Sequence, residues 1–579
     1  MKFKRASIIL LSLISSLSLI TSCSDKNSTS LYEGTDPSTL FDGYYAGLDT
    51  WNNYKDLRQK LYNIVRRDYS PISYNSDPFA SGQTNWSTNR NADQSLTNFD
   101  KVHVLYSDYE EYKQTGNTSS WQREHCFPAS LATGVTTGEA TKTIGTATDF
   151  HNLYASNSSG NSAHSNMSYG YVNKDYDYSY VGNAIYQKDV ATPNGVLNVF
   201  EPNDVDKGKV SRAIFYMALM YGNDSWVEDT DKNGNKLSVG LRIVRKGVET
   251  CSLMSAQMGK KCHENLEDLL EWNDKFAPDR LEYQHTTYVQ SVQGNRNPFI
   301  DFPELVDYCF GEKQLEKGSL KNLHNIYDIL DLGNEKIHNL AISDVKYSYD
   351  GGETYSSQND LKIYEVSNSF KKTDCTDYTV EGVKDNEIVH ENQNGTVITI
   401  KKGELSTSYQ ISVASDEWQN LNYINKFTAT NLKNLKQGND IIVSNNGVDM
   451  KVSVAASKSV DVLDHNTQVI GAAIGSNASP AGTIVIESQN TIKVNNNYVI
   501  KKIYIEANST SKYAQPFTLE MYINGRLVKQ NNYSYNSSSS LVSYGINLKS
   551  FDQESGKIKI VISNIDGRFN LGRIGLLVE

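Results

Sequence analysis

One adjacent pair of side chains has the residue types for hydrolytic chemistry. Glu124-His125 places a carboxylate beside an imidazole on a short extended segment that Pro128 ends. Adjacent strand residues point to opposite faces, so only one of the two enters a cleft directly unless the strand end twists. A hard divalent cation prefers carboxylate and amide oxygens, and Mg²⁺ keeps several waters with few protein ligands. Glu124 and Asn161 would suit such a cation, which leaves His125 to take a proton from water.

The polar stretches that follow the Glu124-His125 pair support its interpretation as part of a functional site. Isolated Glu-His pairs are mostly surface residues, and asparagine clusters usually form turns. Here, however, three stretches occur together, at residues 121–131, 148–170 and 293–301. The second stretch carries Asp149, His151 and Asn152, and then Asn161, His164 and Asn166 at the start of a predicted helix. The combination, rather than the pair alone, indicates a site.

In their order and spacing, the three stretches resemble the bacterial endonuclease I family, secreted or periplasmic nucleases with a ββα-metal (His-Me) finger. The resemblance covers about residues 44–310, just under half of the chain. It rests on Arg123-Glu124-His125, Pro128, Ser130, Asp149, His151-Asn152-Leu153, Asn161, Asn166, residues 212–217 and residues 293–301.

The resemblance implies roles for the site residues. His125 would be the general base at the end of the first finger strand. Glu124 and Asn161 would be the ligands of one Mg²⁺, Ca²⁺ or Mn²⁺ ion that bridges the scissile phosphate. The expected substrate is DNA, with RNA also tolerated. Four further residues would support the site, namely Asp149, His151, Asn152 and Asn166.

The sequence departs from the family pattern at several positions. His164 stands where the family usually has Arg, His285-Thr286 replace an Arg-Asn pair, and Ala155 replaces a frequent Pro. Between His125 and Asp149 the only cationic side chain is Lys142. Because the metal ligands and the base are intact, activity is expected, weakened by these departures.

Three arginines are the remaining candidates for phosphate binding. They are Arg123, Arg212 and Arg296, and a structural ion pair is an equal alternative for each. The net charge is -11, and residues 41–310 hold 25 basic and 34 acidic side chains. Proteins that clamp many phosphates usually show a basic face. The acidic balance therefore predicts weak substrate affinity and steep salt sensitivity.

The N-terminus reads as an export signal. A basic start and an apolar stretch precede small residues and Cys23, which is typical of a signal peptide. The Cys resembles that of a bacterial lipobox, which implies a signal peptide over 1–22, lipidation at Cys23 and a polar tether over 23–40. The body would then be lipid-anchored and face outward, at the cell surface or in the periplasm.

Composition and cysteine usage exclude two classes of protein. Only the N-terminal apolar run could enter a bilayer, which excludes a polytopic membrane protein. Six cysteines in the whole chain exclude a disulfide scaffold. Cys126 reads as a buried inert thiol, whereas pairing of Cys251 with Cys262 stays open. Residues 229–234 resemble the start of an EF-hand loop but are interpreted as a polar turn, because position twelve is Gly240.

The pattern along the chain predicts a multidomain protein, with an α+β nuclease domain followed by two all-β sandwiches. Helical spacing is found in residues 51–67 and 263–274, and residues 209–221 are apolar nearly all round, which predicts a buried helix. After about residue 336, short alternating strands separated by Gly/Asn/Ser turns take over. The predicted units are a nuclease domain at 41–312, a linker at 313–336, an immunoglobulin-like sandwich at 337–414 and a jelly-roll-like sandwich at 415–579.

Two functions from different classes remain at this stage. The first is a surface-anchored, metal-dependent, sequence-non-specific endonuclease. The second is a surface adhesin or glycan-binding lipoprotein with a vestigial nuclease domain, whose sandwiches would hold cell-surface glycan. A monomer is expected in either case. With few contacts implied across the linker, fragment 41–312 is expected to fold and cleave alone.

Overall fold

The fold is taken from a computed structural model of the chain. It describes residues 39–70, 72, 85–113, 121–128, 148–193, 195–222, 242–243, 262–263, 265–333, 335–414, 423–427, 432, 434–445, 448–455, 460–465, 468–474, 482–489, 500–509, 517–533, 542–547, 556–565 and 569–578. The predicted signal peptide, Cys23, Ser130, Lys142, the 229–234 turn and Cys251 lie outside these residues.

The α-helices of the described chain all lie before residue 330. Their bounds are α1 Tyr54–Arg67, α2 Asn85–Ala92, α3 Ser158–His164, α4 Asp204–Tyr221, α5 Leu266–Lys275, α6 Arg280–Gln293, α7 Pro298–Asp301, α8 Leu305–Cys309 and α9 Ile326–Ile329.

Strands are short and scattered before α9 and dominate after it. Their bounds are β1 Thr50–Trp51, β2 Lys101–His103, β3 Glu110–Tyr112, β4 Trp121–His125, β5 Leu153–Asn157, β6 Ser168–Tyr169, β7 Ser179–Val181, β8 Ala184–Thr192, β9 Gly195–Glu201, β10 Arg242–Ile243, β11 Cys262–His263, β12 Gly318–Ser319, β13 Ile337–Ser343, β14 Ser348–Tyr349, β15 Lys362–Ser367, β16 Lys372–Asp374, β17 Thr379–Glu381, β18 Val397–Lys402, β19 Leu405–Gln410, β20 Ser412–Val413, β21 Tyr423–Lys426, β22 Ile441–Asn445, β23 Val448–Val454, β24 Val460–His465, β25 Gln468–Ile474, β26 Gly482–Ser488, β27 Ile500–Ser509, β28 Phe517–Ile523, β29 Arg526–Tyr533, β30 Val542–Asn547, β31 Ile558–Ile565 and β32 Phe569–Val578.

The three predicted helices are confirmed as α1, α4 and α5. In α1 the apolar residues recur every three to four positions and form the buried face, namely Leu57, Leu61, Ile64 and Val65. The Asn53 side chain accepts hydrogen bonds from two backbone N–H groups of the first turn and so begins the helix. Helix α4 is buried nearly all round, and its apolar residues from Val210 to Tyr221 belong to the core of the first unit.

That core extends beyond the predicted nuclease boundary. Leu320, Leu323 and Ile326 are buried in the same apolar cluster as α1 and α4. Strand β12 pairs antiparallel with β1. Residues 313–333 therefore pack as part of the first unit instead of forming a free linker.

The next unit, residues 337–413, has its own apolar core and three small sheets. It also contacts the first unit closely. The Phe99 N–H donates to the Ile342 carbonyl, and the Arg280 guanidinium donates to the carbonyls of Asn368 and Ser367 at 2.8 and 3.1 Å. Burial lowers the pKa of Arg280 to about 10. The expectation of few contacts with the strand-rich half is wrong.

The last unit contains two six-stranded sheets in the described residues, β24-β25-β32-β27-β30 with β21 beside β32, and β22-β23-β26-β31-β28-β29. Side chains from both sheets form one apolar core. Arg573 pairs with Asp350 of the preceding unit. The strand-rich architecture is as predicted, whereas the immunoglobulin-like and jelly-roll-like assignments stay predictions. No helix in the described ranges is long and apolar enough to cross a membrane.

Candidate active site

The candidate site is built on a two-stranded sheet followed directly by a helix. Strands β4 and β5 pair antiparallel, from Trp121 opposite Asn157 to His125 opposite Leu153. Helix α3 begins at the next residue after β5, and the Asn157 side chain accepts a hydrogen bond from the Gly160 N–H at 2.9 Å. This cap ends the strand and begins the helix. The result is a ββα unit, as the sequence predicted.

Asn152 holds the end of β4 where His125 lies. Its side-chain oxygen accepts from the Phe127 N–H at 2.6 Å, and its amide nitrogen donates to the Phe127 carbonyl at 3.0 Å. Its own carbonyl accepts from the Cys126 N–H at 3.0 Å. His125 is half-buried and is the last residue of β4. Asn152 therefore fixes the backbone directly after His125, and its supporting role at the site stays a prediction.

Glu124 is buried and makes all its described contacts through one oxygen. Its Oε1 accepts from the Tyr106 hydroxyl at 2.8 Å and more weakly from the Tyr169 hydroxyl at 3.5 Å. The His164 Nδ1 lies 2.5 Å from the same Oε1. Within the described residues Oε2 accepts no hydrogen bond. One carboxylate oxygen is thus fixed and the other is left for a ligand.

Tyr106 connects Glu124 to three other elements. Its φ of 68° is uncommon for a bulky residue. The buried Asp206 carboxylate accepts from its N–H at 2.7 Å, and its carbonyl accepts from the Asn183 N–H at 3.1 Å. Gly160 of α3 lies against its ring, and a Cβ there would be only 2.7 Å from the ring Cδ2. No sequence motif marked Tyr106, which the sequence reasoning missed.

Asn161 of α3 lies over the face of β4 that carries Gln122 and Glu124. Its Nδ2 donates to the Gln122 Oε1 at 3.0 Å and lies 3.5 Å from the Arg123 carbonyl. A backbone carbonyl can only accept, so the atom that faces it is the amide nitrogen. In the described part of the chain the Asn161 Oδ1 makes no hydrogen bond. The structure therefore brings two uncommitted oxygens, Glu124 Oε2 and Asn161 Oδ1, to neighbouring elements.

His164, at a position where the family has Arg, lies behind the Glu124 carboxylate. Its ring stacks on Tyr169 with centroids 4.4 Å apart and an angle of 11° between planes. Although Nδ1 is close to Glu124, the direction is off that of a ring hydrogen bond, and Nε2 finds no partner among the described residues. The His164 ring therefore packs on the buried side of the Glu124 carboxylate.

Asp149 and His151 lie in the core and not at the site. Asp149 accepts from the hydroxyls of Tyr216 and Tyr221 at 2.9 and 2.8 Å, and burial raises its pKa. The His151 Nε2 lies 3.0 Å from the Asn295 carbonyl, and burial lowers the pKa of this histidine well below its usual value. His151 is therefore a neutral core residue without the access to water that an alternative base needs.

Two of the three arginines expected at phosphate are committed elsewhere. Arg212 forms a two-bond ion pair with Glu282 at 2.7 and 2.6 Å. Arg296 pairs with Asp301 through two bonds of 2.7 Å. Both guanidinium groups are buried, so the phosphate-binding role predicted for them is corrected to a structural one. Arg123 is half-buried with its guanidinium 4.4 Å from the Trp86 ring and stays a phosphate-binding candidate.

Two of the other departures from the family pattern, His285 and Ala155, are linked through Asp93. Its Oδ1 lies 2.6 Å from the His285 Nδ1, and its Oδ2 accepts from the Ala155 N–H at 2.7 Å. The His285 Nε2 lies 2.8 Å from the Phe150 carbonyl. A proline at position 155 would have no N–H to donate. Asp93 therefore ties β5 to α6 by using two residues that differ from the family.

Two other expectations concern residues near the site. Asn166 is exposed just beyond α3. Cys126 is buried, and burial raises the pKa of its thiol well above the usual value. The thiol therefore stays protonated, in agreement with the inert role predicted for it.

The donor set fits a hard cation with few protein ligands. No group of three or more His, Cys, Asp and Glu side chains able to hold a metal lies in the described ranges. An ion at this site would therefore take Glu124 Oε2, Asn161 Oδ1 and water, the oxygen ligands that Mg²⁺ accepts.

Comparison with known proteins decides the family. The family model described as Endonuclease I matches residues 52–304. The extracellular ribonuclease of Bacillus amyloliquefaciens is 30% identical over 265 residues, which are 45% of this chain and 78% of that protein. The chain belongs to the endonuclease I family. The extracellular ribonuclease of Bacillus subtilis (strain 168) is 28% identical over 272 residues, 46% of this chain and 77% of that protein. As a member of this family, the protein is a nuclease.

Solved structures similar to the chain include carbohydrate-binding modules. One contains the CBM51-2 and INT domains of Clostridium perfringens ZmpB and is 11% identical, with a TM-score of 0.15. The match covers 41% of this chain and 48% of that chain. Another is the CBM36-1 domain of a multidomain xylanase from the hindgut metagenome of Trinervitermes trinervoides, which is 12% identical with a TM-score of 0.16. The match covers 27% of this chain and 94% of that chain.

Proposed function

We propose that the protein is an extracellular endonuclease that hydrolyses phosphodiester bonds with one divalent cation held by Glu124 and Asn161. The observation that carries the proposal is the pair of uncommitted oxygens, Glu124 Oε2 and Asn161 Oδ1, on a ββα unit whose first strand ends at His125. Membership of the endonuclease I family supports it.

Each residue then has a distinct task. His125 takes a proton from the attacking water, a role that typically contributes about 10²–10⁴-fold in rate. Tyr106 holds the Glu124 carboxylate through a hydrogen bond and His164 packs behind it, while Asn152 holds the strand end that carries His125. The cation, when bound, supplies positive charge at the scissile phosphate and the leaving oxygen, worth several kcal/mol. Arg123 is the proposed phosphate contact.

The substrate and location follow from the relatives and the N-terminus. Both relatives are named extracellular ribonucleases, which supports RNA as a substrate beside the DNA predicted from sequence. Export and lipidation at Cys23 remain predictions. Cys23→Ser should move the protein from the membrane fraction into soluble material, and continued membrane association of that variant would exclude the anchor.

A nuclease assay on the full chain tests the proposal. Cleavage of single-stranded RNA and of plasmid DNA is measured with Mg²⁺, with EDTA, and after Mg²⁺ is restored. Glu124→Gln keeps the side-chain shape but loses the charge, and Glu267→Gln on the exposed side of α5 is the matched control.

Cleavage should stop in EDTA, return with Mg²⁺, fall strongly in Glu124→Gln and persist in Glu267→Gln. Cleavage that continues in EDTA, or that is normal in Glu124→Gln, would refute the metal site. If the chain cut neither nucleic acid, the adhesin or glycan-binding alternative would replace the nuclease.

A further inference from the structure

Three large aromatic side chains are exposed on the nuclease unit. Tyr109 is 46% exposed, Tyr178 36% and Tyr180 73%, and they are the tyrosines among the exposed large hydrophobic side chains of the described residues. The rings of Tyr178 and Tyr180 lie 5.5 Å apart, with their hydroxyl oxygens 3.4 Å apart. Residues two apart along an extended segment lie on the same face. These three side chains are called the tyrosine surface below.

The tyrosine surface adjoins the elements that carry the candidate ligands. The Asn157 side chain, which caps α3, donates to the Tyr109 hydroxyl at 2.6 Å. Strand β7, which contains Tyr180, packs against α3. The turn after β7 is anchored at the site as well, because the Asn183 N–H donates to the Tyr106 carbonyl. The exposed rings therefore lie around the same helix that presents Asn161.

The acidic charge of the nuclease unit limits its affinity for a polyanion, and stacking on aromatic rings would add to that affinity. Residues 41–310 are acidic overall. Arg212 and Arg296 form buried ion pairs and do not reach a bound substrate. Phosphate contacts therefore supply little of the affinity for a polyanion. Stacking of a base on an aromatic side chain depends on the π-face that every base has, so it is independent of sequence. Only unpaired bases offer that face.

We infer that Tyr109, Tyr178 and Tyr180 form a stacking surface for unpaired bases next to the scissile phosphate, which makes the nuclease selective for single-stranded nucleic acid. This inference rests on the proposed nuclease function and names its substrate class. It also accounts for how an acidic domain retains a polyanionic substrate.

The test compares substrates and substitutions in the full chain. Steady-state KM and kcat are measured with a single-stranded oligonucleotide and with the matching duplex. The variants are the double substitution Tyr178→Ala/Tyr180→Ala, the double substitution Tyr178→Phe/Tyr180→Phe, and Leu315→Ala as a control at another exposed apolar residue. Far-ultraviolet circular dichroism checks that each variant is folded.

Loss of stacking on one base should raise KM for the single strand by about 5- to 150-fold in the alanine variant, with kcat little changed. The phenylalanine variant keeps the rings, so its KM should stay within about twofold. The KM for the duplex should change by less than about twofold in every variant, and a wild-type chain that does not cut the duplex also agrees with the inference.

Three results would overturn the inference. They are an unchanged single-strand KM in the alanine variant, an equal rise for both substrates, and a phenylalanine variant that behaves like the alanine variant. Each requires a wild-type chain that cleaves, so each is distinct from failure of the proposed function, in which the wild type cuts nothing.

Discussion

Replacing Tyr106 by Phe isolates the hydrogen bond that holds the candidate metal ligand. The hydroxyl donates to Glu124 Oε1 at 2.8 Å and lies 2.5 Å from the Tyr169 hydroxyl, and all three side chains are buried. Phenylalanine keeps the ring that packs on Gly160 and Phe200. The change therefore removes one buried polar atom with little loss of packing.

The expected magnitude follows from the type of bond. A hydrogen bond to a charged group contributes about 1.5–3 kcal/mol to stability. Outer partners of metal ligands typically contribute about 10–100-fold to metal affinity or activity. Tyr106→Phe should therefore lower the free energy of unfolding by about 1.5–3 kcal/mol and weaken Mn²⁺ binding by about 10–100-fold. Tyr169→Phe is the matched control, because its hydroxyl lies 3.5 Å from Glu124, and it should weaken binding less.

The assay combines urea denaturation with calorimetric titration of Mn²⁺ into the full chain. A stability loss in Tyr106→Phe with Mn²⁺ affinity unchanged within about twofold would show that the network is structural only. Equal losses of affinity in the two variants would also contradict the assignment of Tyr106 as the residue that positions Glu124.

Three further predictions concern packing, pH and domain boundaries. Gly160→Ala should destabilise the protein by about 1–3 kcal/mol in urea denaturation, because its Cβ would lie 2.7 Å from the Tyr106 ring; stabilisation by about 1 kcal/mol, as for an open helical glycine, would contradict this. The pKa of His151 is lowered from 6.5 in the folded state, so below about pH 6.5 only the unfolded chain takes up this proton. The free energy of unfolding should therefore decrease by up to about 1.4 kcal/mol for each unit by which the pH is lowered. His151→Gln should reduce that dependence between pH 6.5 and 5, and an unchanged dependence would refute the assignment. Fragment 41–312 should express poorly as soluble protein whereas fragment 41–414 stays soluble, because the shorter fragment loses core residues; soluble, active 41–312 would contradict the observed packing.

The ββα unit could be predicted because the three stretches resemble the endonuclease I family, and that resemblance implies this finger. Glu124 and His125 are adjacent, Asn161 follows within the next element, and the three stretches keep their order and spacing. Helix α1 follows from the periodicity of its apolar residues, which reflects the helical turn, and α4 follows from a long, nearly continuous apolar run. Patterns within one element predict that element because they do not depend on distant residues.

The features that sequence reasoning missed depend on distant partners. Arg212 meets Glu282, and Tyr106 meets Asp206, in each case across many residues of chain. The left-handed backbone of Tyr106 leaves no mark in the sequence, since tyrosine rarely adopts it. An arginine near a nuclease motif looks the same whether it binds phosphate or a buried carboxylate.

The central claim divides the catalytic work between the metal ligands and the base. It is tested most directly by measuring cleavage by full-length His125→Ala and Asn161→Ala across a Mg²⁺ titration. His125→Ala should lose about 10²–10⁴-fold in rate and regain nothing at high Mg²⁺, since its loss is proton transfer. Asn161→Ala should recover part of its activity as Mg²⁺ rises. Near-normal cleavage by His125→Ala, or equal rescue of the two variants by Mg²⁺, would contradict the account.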